Sequence, residues 1–218
     1  MQTPDRSIRG RKSVESALIT AASQLLSEVG PKLMSVRDVA SLAGVNHGQV
    51  HHYFNGKEGL IKAAMRNLAQ EHLENAIERA HGGAMPPPLT LNRDPQYQRA
   101  VIRLVLDGRV DIATMQIDDD VSVPRNILTE LTKSAGLEKP SIEAKAVLAA
   151  IIALEQGWGA LEDFIAEMVD AKPDEMQEIR KLIIKVLRDL PGTIGLEIPA
   201  EEVYGAPEKI TRKKDDSV

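Results

Sequence analysis

Two groups of side chains in this sequence have the types and spacing that chemistry at a metal ion would need. His47 and His51 stand in His-Gly-Gln-Val-His, so a helix would place both imidazoles on one face, as in zinc proteases. Gly48, however, occupies the position of the catalytic Glu in that motif, and no third ligand is evident. Residues 118–120 are three aspartates, but consecutive carboxylates cannot converge without a turn. We therefore expect no metal site at the histidines and a solvated loop at the aspartates.

Composition limits the other classes of function. The 218 residues contain no Cys, which excludes disulfides, thiol nucleophiles and thiolate metal sites. No catalytic triad or phosphate-binding loop is recognisable, so we expect neither catalytic residues nor a cofactor. No apolar run approaches the roughly 20 residues that span a bilayer, and the polar N-terminus lacks the apolar core of a signal peptide. A cytoplasmic protein without a membrane partner is the simplest interpretation.

Three signals for helix starts organise the polar segment over residues 35–57. Each is a capping residue followed three positions later by a side chain that can complete a capping box. The pairs are Ser35 with Asp38, Asn46 with Gln49, and Asn55 with Glu58. Gly44 can end the first of these helices, since it tolerates positive φ. Two helices joined by a tight turn containing Gly form a helix-turn-helix unit, whose second helix can enter the major groove of DNA.

An amphipathic helix is predicted directly before this unit. Apolar residues recur at three- and four-residue steps from Val14 to Val29, and Gly30 followed by Pro31 should end the helix. Together with the helix-turn-helix unit, it completes a three-helix head over residues 13–57.

Charge is distributed unevenly along the chain. The net charge is −5, yet residues 1–58 carry seven basic against five acidic side chains. A modestly basic end on an acidic body is the asymmetry expected where only one end meets phosphate. Residues 1–12 have four basic side chains and no apolar periodicity. They are predicted to form a disordered arm that either contacts DNA or remains a solvated tail.

Residues 14–60 resemble the N-terminal domain of the TetR family of bacterial transcriptional regulators. The shared features are the apolar first helix ending in Glu28 and Gly30, residues 36–40, Ala43-Gly44-Val45, Gly48, Tyr53-Phe54, and Lys57-Glu58 with Leu60. Two positions depart from the common pattern. Asn46 stands where Ser is frequent, and Val50-His51 stands where Leu-Tyr is frequent. That Tyr commonly contacts a phosphate, a contact that His51 would have to make here.

The second helix of the helix-turn-helix unit supplies the predicted DNA contacts through its polar surface. The apolar side chains of Val45, Val50 and Phe54 should face the core. Gln can pair with adenine N6 and N7, and His can donate to guanine N7 or to phosphate. Lys57 lies in the first turn of the following helix, where the helix N-terminus also favours an anion. Gly48 either allows DNA to approach closely or packs against the first helix. The predicted contact set is Ser35, Arg37, Asn46, His47, Gly48, Gln49, His51, His52, Tyr53 and Lys57.

The remaining sequence predicts an all-α fold, with a larger helical body over residues 58–200 behind the head. A long helix reaches about Ala80, and a Gly- and Pro-rich loop over residues 81–93 either gates a pocket or simply connects helices. Asp94 should cap a helix that starts at Pro95 and continues through Met115. Further helices are predicted over residues 124–135, 141–171 (as one helix or two) and 174–190, before a disordered tail over residues 201–218.

The resemblance implies that the body binds a small-molecule effector and forms a homodimer through its last two helices. Candidate pocket residues interrupt an apolar run with polar or bulky groups, although core packing would also explain each one. They are Met115, Glu155, Gln156 and Trp158. Candidate dimer residues make the last helices wider in apolar surface than one core face needs, and burial within the monomer is the alternative. They are Leu161, Phe164, Ile165, Met168, Ile179, Leu182, Ile183 and Val186.

These observations predict a ligand-responsive repressor that binds a pseudo-palindromic, double-stranded DNA operator. A two-fold dimer would place its recognition helices about one turn of DNA apart, roughly 34–36 Å or a multiple of it. Two alternatives come from other classes of protein. One is an all-helical enzyme using Asp107, Asp111 or the histidines, and the other is a helical scaffold protein that keeps a TetR-like head.

Overall fold

A computed structural model describes residues 11–83, 86–89 and 95–194, and these residues form helices without any strand. The helices are α1 (Arg11–Leu33), α2 (Val36–Leu42), α3 (Gly48–Phe54), α4 (Lys57–Ala80), α5 (Pro95–Leu106), α6 (Val110–Ala113), α7 (Met115–Asp118), α8 (Val123–Ser134), α9 (Ile142–Met168) and α10 (Met176–Asp189), with a 3-10 turn at Pro191–Ile194. Some of the predicted features lie outside the described residues: the tail, Asp94, most of the arm and part of the 81–93 loop.

The first capping signal acts as predicted, whereas the second does not: His47, not Asn46, is the cap residue of α3, and it makes no side-chain capping hydrogen bond. The Ser35 hydroxyl accepts a hydrogen bond from the Asp38 N–H at 3.1 Å, which fixes the start of α2. Gly44, with φ +67, ends that helix, and the Asn46 Oδ1 atom accepts from the Gly48 N–H at 2.8 Å where α3 begins. Gly30, with φ +80, interrupts the helical backbone of α1 where the sequence predicts its end.

The third capping pair is wrong. Asn55 ends α3 in the left-handed conformation instead of starting the next helix, and Gly56, with φ +104, precedes α4. Such a short turn leaves no extended position at which Asn55 could cap α4. The Glu58 carboxylate instead accepts hydrogen bonds from Arg109.

One hydrophobic core joins the head to the first body helices. Leu26 of α1, Val50 of α3, Leu60 of α4, Leu104 of α5 and Ile112 of α6 have no exposed surface and belong to the same buried cluster. Because α1 packs against both α4 and α5, the recognition unit is seated on the body rather than attached through a linker.

The long helix predicted from Pro95 to Met115 is wrong. It ends at Leu106, and Gly108, with φ +77, turns the chain into the short helices α6 and α7. The apolar spacing continues through this turn because Ile112 reaches the same core as Leu104. Beyond it, Asp119 pairs with Arg66 at 2.8 Å, and within the described part of the chain no three His, Asp or Glu side chains are arranged to hold a metal ion.

The second half of the body rests on α9, which is one continuous helix despite its two glycines. The Ser141 hydroxyl caps it, accepting from the Ala144 N–H at 3.1 Å. Among the described helices, α9 alone is long and apolar enough to cross a membrane, contrary to the expectation that no run is long enough. The pattern was missed because Lys145 and Glu155 divide the apolar run. Only 28% of the most apolar 18-residue stretch of α9 is buried, so much of its apolar surface faces outward.

Candidate nucleic-acid interface and interior cavity

Helix α3 has one buried side and one exposed side. Val50 has no exposed surface, and Phe54 packs against the same core. On the other side His47, His51 and His52 are exposed, and Gln49 is half-buried. The core therefore fixes the helix while its polar side chains face outward, which is what entry into a DNA groove requires.

A backbone contact that only glycine permits sets the position of α3 against α4. A Cβ atom at Gly59 would lie 1.9 Å from the Phe54 carbonyl oxygen and 3.0 Å from its carbonyl carbon. The first turn of α4 thus presses directly on the last turn of α3. Sequence reasoning missed Gly59, although a glycine inside a predicted first helical turn, where its propensity is poor, is the signal that could have found it.

Lys57, the predicted phosphate ligand, lies in the first turn of α4 and is also tied to the end of α1. Its Nζ atom donates a hydrogen bond to the Lys32 carbonyl oxygen at 3.2 Å. The Lys32 ammonium in turn lies 3.2 Å from the Asp107 carboxylate. Because an ammonium has three N–H donors, Lys57 can keep this bond and still donate to an anion.

An ion-pair cluster beside Lys57 links the start of α4 to the start of α6. Arg109 donates to both Glu58 oxygens and also to Asp111. These hydrogen bonds lower the pKa values of Glu58 and Asp111 below those of ordinary carboxyls, and they raise the pKa of Arg109. All three side chains are partly exposed to water, so the cluster contributes modestly to stability.

The other predicted contact residues on α3 differ in exposure and in what lies beside them. Gly48 is exposed, and a Cβ atom there would meet only the Asn46 Oδ1 atom, at 3.3 Å, so the alternative of packing against α1 is wrong. Tyr53 is partly buried, with its ring 4.9 Å from that of His52. The ring of His51 stands beside the turn that precedes α4, with its Cε1 atom 3.6 Å from where a Cβ of Gly56 would be.

The start of α2 offers one exposed cation and one occupied hydroxyl. Arg37 is exposed in the first turn of that helix. The Ser35 hydroxyl accepts from the Asp38 N–H and donates to the Asp38 carboxylate, so both its donor and one acceptor position are used. Of the two, Arg37 is the side chain better placed to reach a phosphate.

A cavity of about 60 Å³ lies in the body between α4, α5, α8 and α9. The rings of His72 and Tyr97 form part of its wall, stacked with centroids 3.7 Å apart. Glu155 and Gln156 line the cavity, whereas Met115 and Trp158 are not among the residues that line it. Met115 packs against the core shared by head and body. The aromatic pair escaped sequence reasoning because only tertiary packing stacks residues from two separate helices.

Helix α9 contributes two hydrogen-bond acceptors to the cavity wall, in addition to the polar side chains of His72, Tyr97 and Gln98 on α4 and α5. The Glu155 Oε1 atom accepts from the Leu89 N–H at 2.9 Å. Burial raises the pKa of Glu155, and that hydrogen bond opposes the rise. The Gln156 Oε1 atom is buried and has no hydrogen-bond partner within the described residues, an arrangement that carries a desolvation cost until a donor arrives.

The last two helices carry an exposed apolar face. Five of the eight predicted dimer residues are between 49% and 66% exposed: Leu161, Phe164, Met168, Leu182 and Val186. The other three, Ile165, Ile179 and Ile183, are partly buried. An ion pair between Arg180 and Glu162 joins the two helices. Burial within the monomer therefore does not account for the five exposed side chains.

Residues 18–64 match the family model described as bacterial regulatory proteins, tetR family. The HTH-type transcriptional repressor Rv3405c of Mycobacterium tuberculosis is 32% identical over 99 residues, covering 45% of this chain and 50% of that protein. The HTH-type transcriptional regulator BetI of Ectopseudomonas mendocina is 35% identical over 109 residues, covering 50% of this chain and 47% of that protein. The chain thus aligns with about half the length of these curated relatives.

The fold as a whole is similar to that of a solved tetR-family transcriptional regulator from Streptomyces coelicolor. The two superpose with a TM-score of 0.59 over 84% of this chain and 82% of the other, at 18% sequence identity. The predicted all-α architecture, a helix-turn-helix head in front of a larger helical region, is confirmed.

Proposed function

We propose that this chain, whose residues 18–64 match the tetR family of bacterial regulatory proteins, is a member of that family and a dimeric, DNA-binding transcriptional repressor controlled by a small molecule. The observation that carries the proposal is the two-sided α3. Its buried face is fixed in the core through Val50, and its exposed face presents His47, His51 and His52. This chain acts on DNA by binding and needs no catalytic residues; it works in the cytoplasm.

The exposed apolar face of α9 and α10 supports the dimer. A two-fold axis there would pair the five exposed apolar side chains with their copies and bring two recognition helices to successive turns of an operator. Burial of that face would also remove from water the apolar surface that makes α9 resemble a membrane helix.

The shared core supports the control by a ligand. The cavity is walled by α4 and α5, and the same helices hold the head through Leu60 and Leu104. A ligand that binds more tightly to a DNA-incompetent arrangement of the two heads lowers operator affinity by that difference in binding free energy.

A mobility-shift titration against DNA from upstream of the protein's own gene tests the proposal. Gln49→Ala should weaken binding by about 1–3 kcal/mol and relax base preference at one position of each half-site. Lys57→Ala should weaken binding to all sequences and reduce the slope of log K against log salt by about one unit per lost phosphate contact.

Two surface substitutions distant from α3 serve as matched controls. Gln70→Ala and Lys133→Ala remove the same side-chain types from the exposed faces of α4 and α8, and neither should alter binding. Absence of salt-sensitive, sequence-selective binding, together with no effect of the two head variants, would leave the enzyme or scaffold alternative in place of the regulator.

A further inference from the structure

We propose that the interior cavity takes a ligand with a primary or secondary ammonium group on a short apolar body. The inference concerns the ligand class, and it rests on the proposed function only where it calls that ligand an effector.

The charge in the cavity selects a cation. Glu155 is the one carboxylate among its described lining residues, which include no Lys or Arg. The other titratable groups on the wall are His72 and Tyr97, which stack on one another. Among the described lining residues an anionic ligand would therefore meet a carboxylate and no Lys or Arg, whereas an ammonium would complete an ion pair in a site shielded from water.

The hydrogen-bonding capacity of the cavity selects a donor. The Gln156 Oε1 atom is buried without a partner among the described residues, and the Glu155 carboxylate uses Oε1 for the Leu89 N–H. Both groups can only accept further hydrogen bonds at these atoms. A ligand with two or more N–H groups can donate to the Gln156 Oε1 atom and to the Glu155 carboxylate, while a purely apolar ligand leaves the Gln156 Oε1 atom unpaired.

The rest of the wall suits an apolar body. Ile127 of α8 and Leu148 and Ile151 of α9 contribute buried aliphatic surface, and Pro86 and Pro88 contribute rigid apolar surface from the α4–α5 connection. The cavity shares Pro86 and Ile127 with a wider groove between α4 and α8. An alkyl chain that starts at the ammonium can therefore extend from the cavity into the groove.

Leu89 holds the α4–α5 connection against this site. Its backbone has φ +60, an uncommon conformation for Leu, and its side chain packs against the cluster of Val147, Ile151 and Leu187. Its N–H occupies the Glu155 Oε1 atom, which leaves Oε2 for the ligand. The ammonium thus joins an existing hydrogen-bond arrangement without displacing it.

Isothermal titration of the full-length protein with hexylamine, 1-hexanol, hexanoate and hexyltrimethylammonium tests the inference without any DNA. Hexylamine should bind at least tenfold more tightly than the alcohol, because a hydrogen bond to a charged group is the stronger kind. Hexylamine should also bind more tightly than hexyltrimethylammonium, which has the positive charge but no N–H group. Hexanoate should bind most weakly.

Glu155→Gln should reduce hexylamine affinity to that of hexanol, while its amide oxygen can still accept from Leu89 and so preserve the fold. Glu138→Gln, an identical change at an exposed position between α8 and α9, should leave affinity unchanged within twofold. Equal or tighter binding of hexanol or hexanoate, or an unchanged amine preference in a folded Glu155→Gln protein, would overturn the inference.

Operator release is measured separately, with sodium chloride added to match ionic strength. Hexylamine binding accompanied by release of the DNA supports both the ligand class and its role as an effector. Binding that leaves the protein–operator complex intact supports the ligand class and overturns the proposed control through this cavity.

Discussion

Replacing Gly59 by Ala should destabilise the protein, although helix propensity alone predicts the opposite. In an open helical position, Gly→Ala gains about 0.5–1 kcal/mol. At Gly59 the new methyl would lie 1.9 Å from the Phe54 carbonyl oxygen. That oxygen belongs to the backbone of α3, so it cannot rotate away as the end of a side chain could.

The magnitude follows from the separation that must be restored. Real Cβ atoms essentially never approach another heavy atom below 3.0 Å, so α3 and α4 must move apart by about 1 Å at this point. Overpacking of this kind costs about 1–3 kcal/mol, occasionally more. Because the contact is with backbone, we take the upper end of this range and subtract the gain in helix propensity, which leaves a net loss of about 2 kcal/mol in the free energy of unfolding. For a chain of this length the midpoint of thermal unfolding should fall by about 4–8 °C.

Thermal and urea unfolding of Gly59→Ala and wild type, at one protein concentration, provide the measurement. Glu71→Ala, at an exposed position on the same helix, is the control and should change stability by less than about 0.5 kcal/mol. The displaced α3 should also bind its operator about tenfold more weakly. A Gly59→Ala protein as stable as wild type, or more stable, would refute the argument that this contact fixes the recognition helix.

Three further perturbations probe the body and its junction with the head. Because burial raises the pKa of Glu155, the folded chain holds that proton more tightly than the unfolded chain. The contribution of this proton to the free energy of unfolding is fully present below the ordinary Glu pKa of about 4.3 and is lost as pH rises through the pKa of the folded state. The loss amounts to about 1.4 kcal/mol for each tenfold difference in proton affinity between the folded and unfolded states. Urea unfolding measured across pH should show this loss in the wild type and not in Glu155→Gln. Phe164→Asp should convert the dimer to monomer in sedimentation velocity, whereas Leu106→Asp, at an exposed apolar site outside α9 and α10, should not; an intact Phe164→Asp dimer would exclude this face. Arg109→Ala should lower the free energy of unfolding by about 0.5–1 kcal/mol, and in the wild type 0.5 M salt should remove the same contribution. Because Arg109 and Glu58 form one ion pair, the double variant with Glu58→Ala should lose less stability than the sum of the two single losses.

The sequence predicted the elements whose cause is local. Gly30 and Gly44 mark helix ends because their positive φ values favour glycine, and Ser35 marks a helix start because its hydroxyl satisfies a backbone N–H. Where two local signals competed, the outcome was less secure. Asn55 has the chemistry of a cap at either end of a helix, and the length of the turn decided which end it took.

Features that depend on distant residues were beyond the sequence pattern. The Arg109 and Glu58 side chains meet although they lie 51 positions apart. Glu155 could be singled out as a polar interruption in an apolar helix, but its companions on the cavity wall, His72 and Tyr97, come from helices whose separate patterns say nothing of each other. The end of α5 was missed for the same reason, because the apolar spacing follows the shared core through a turn.

The shared core also bears on the construction of chimeric regulators, in which a recognition head is grafted onto a foreign sensing body. A junction after residue 57 would strip α1 of its cover, since Leu104 of α5 is fully buried in that core and Arg103 donates to the Ser27 carbonyl at 2.9 Å. The smallest portable unit therefore runs at least through α6, and a graft that respects this boundary carries its own Arg109 and Asp107 contacts with it.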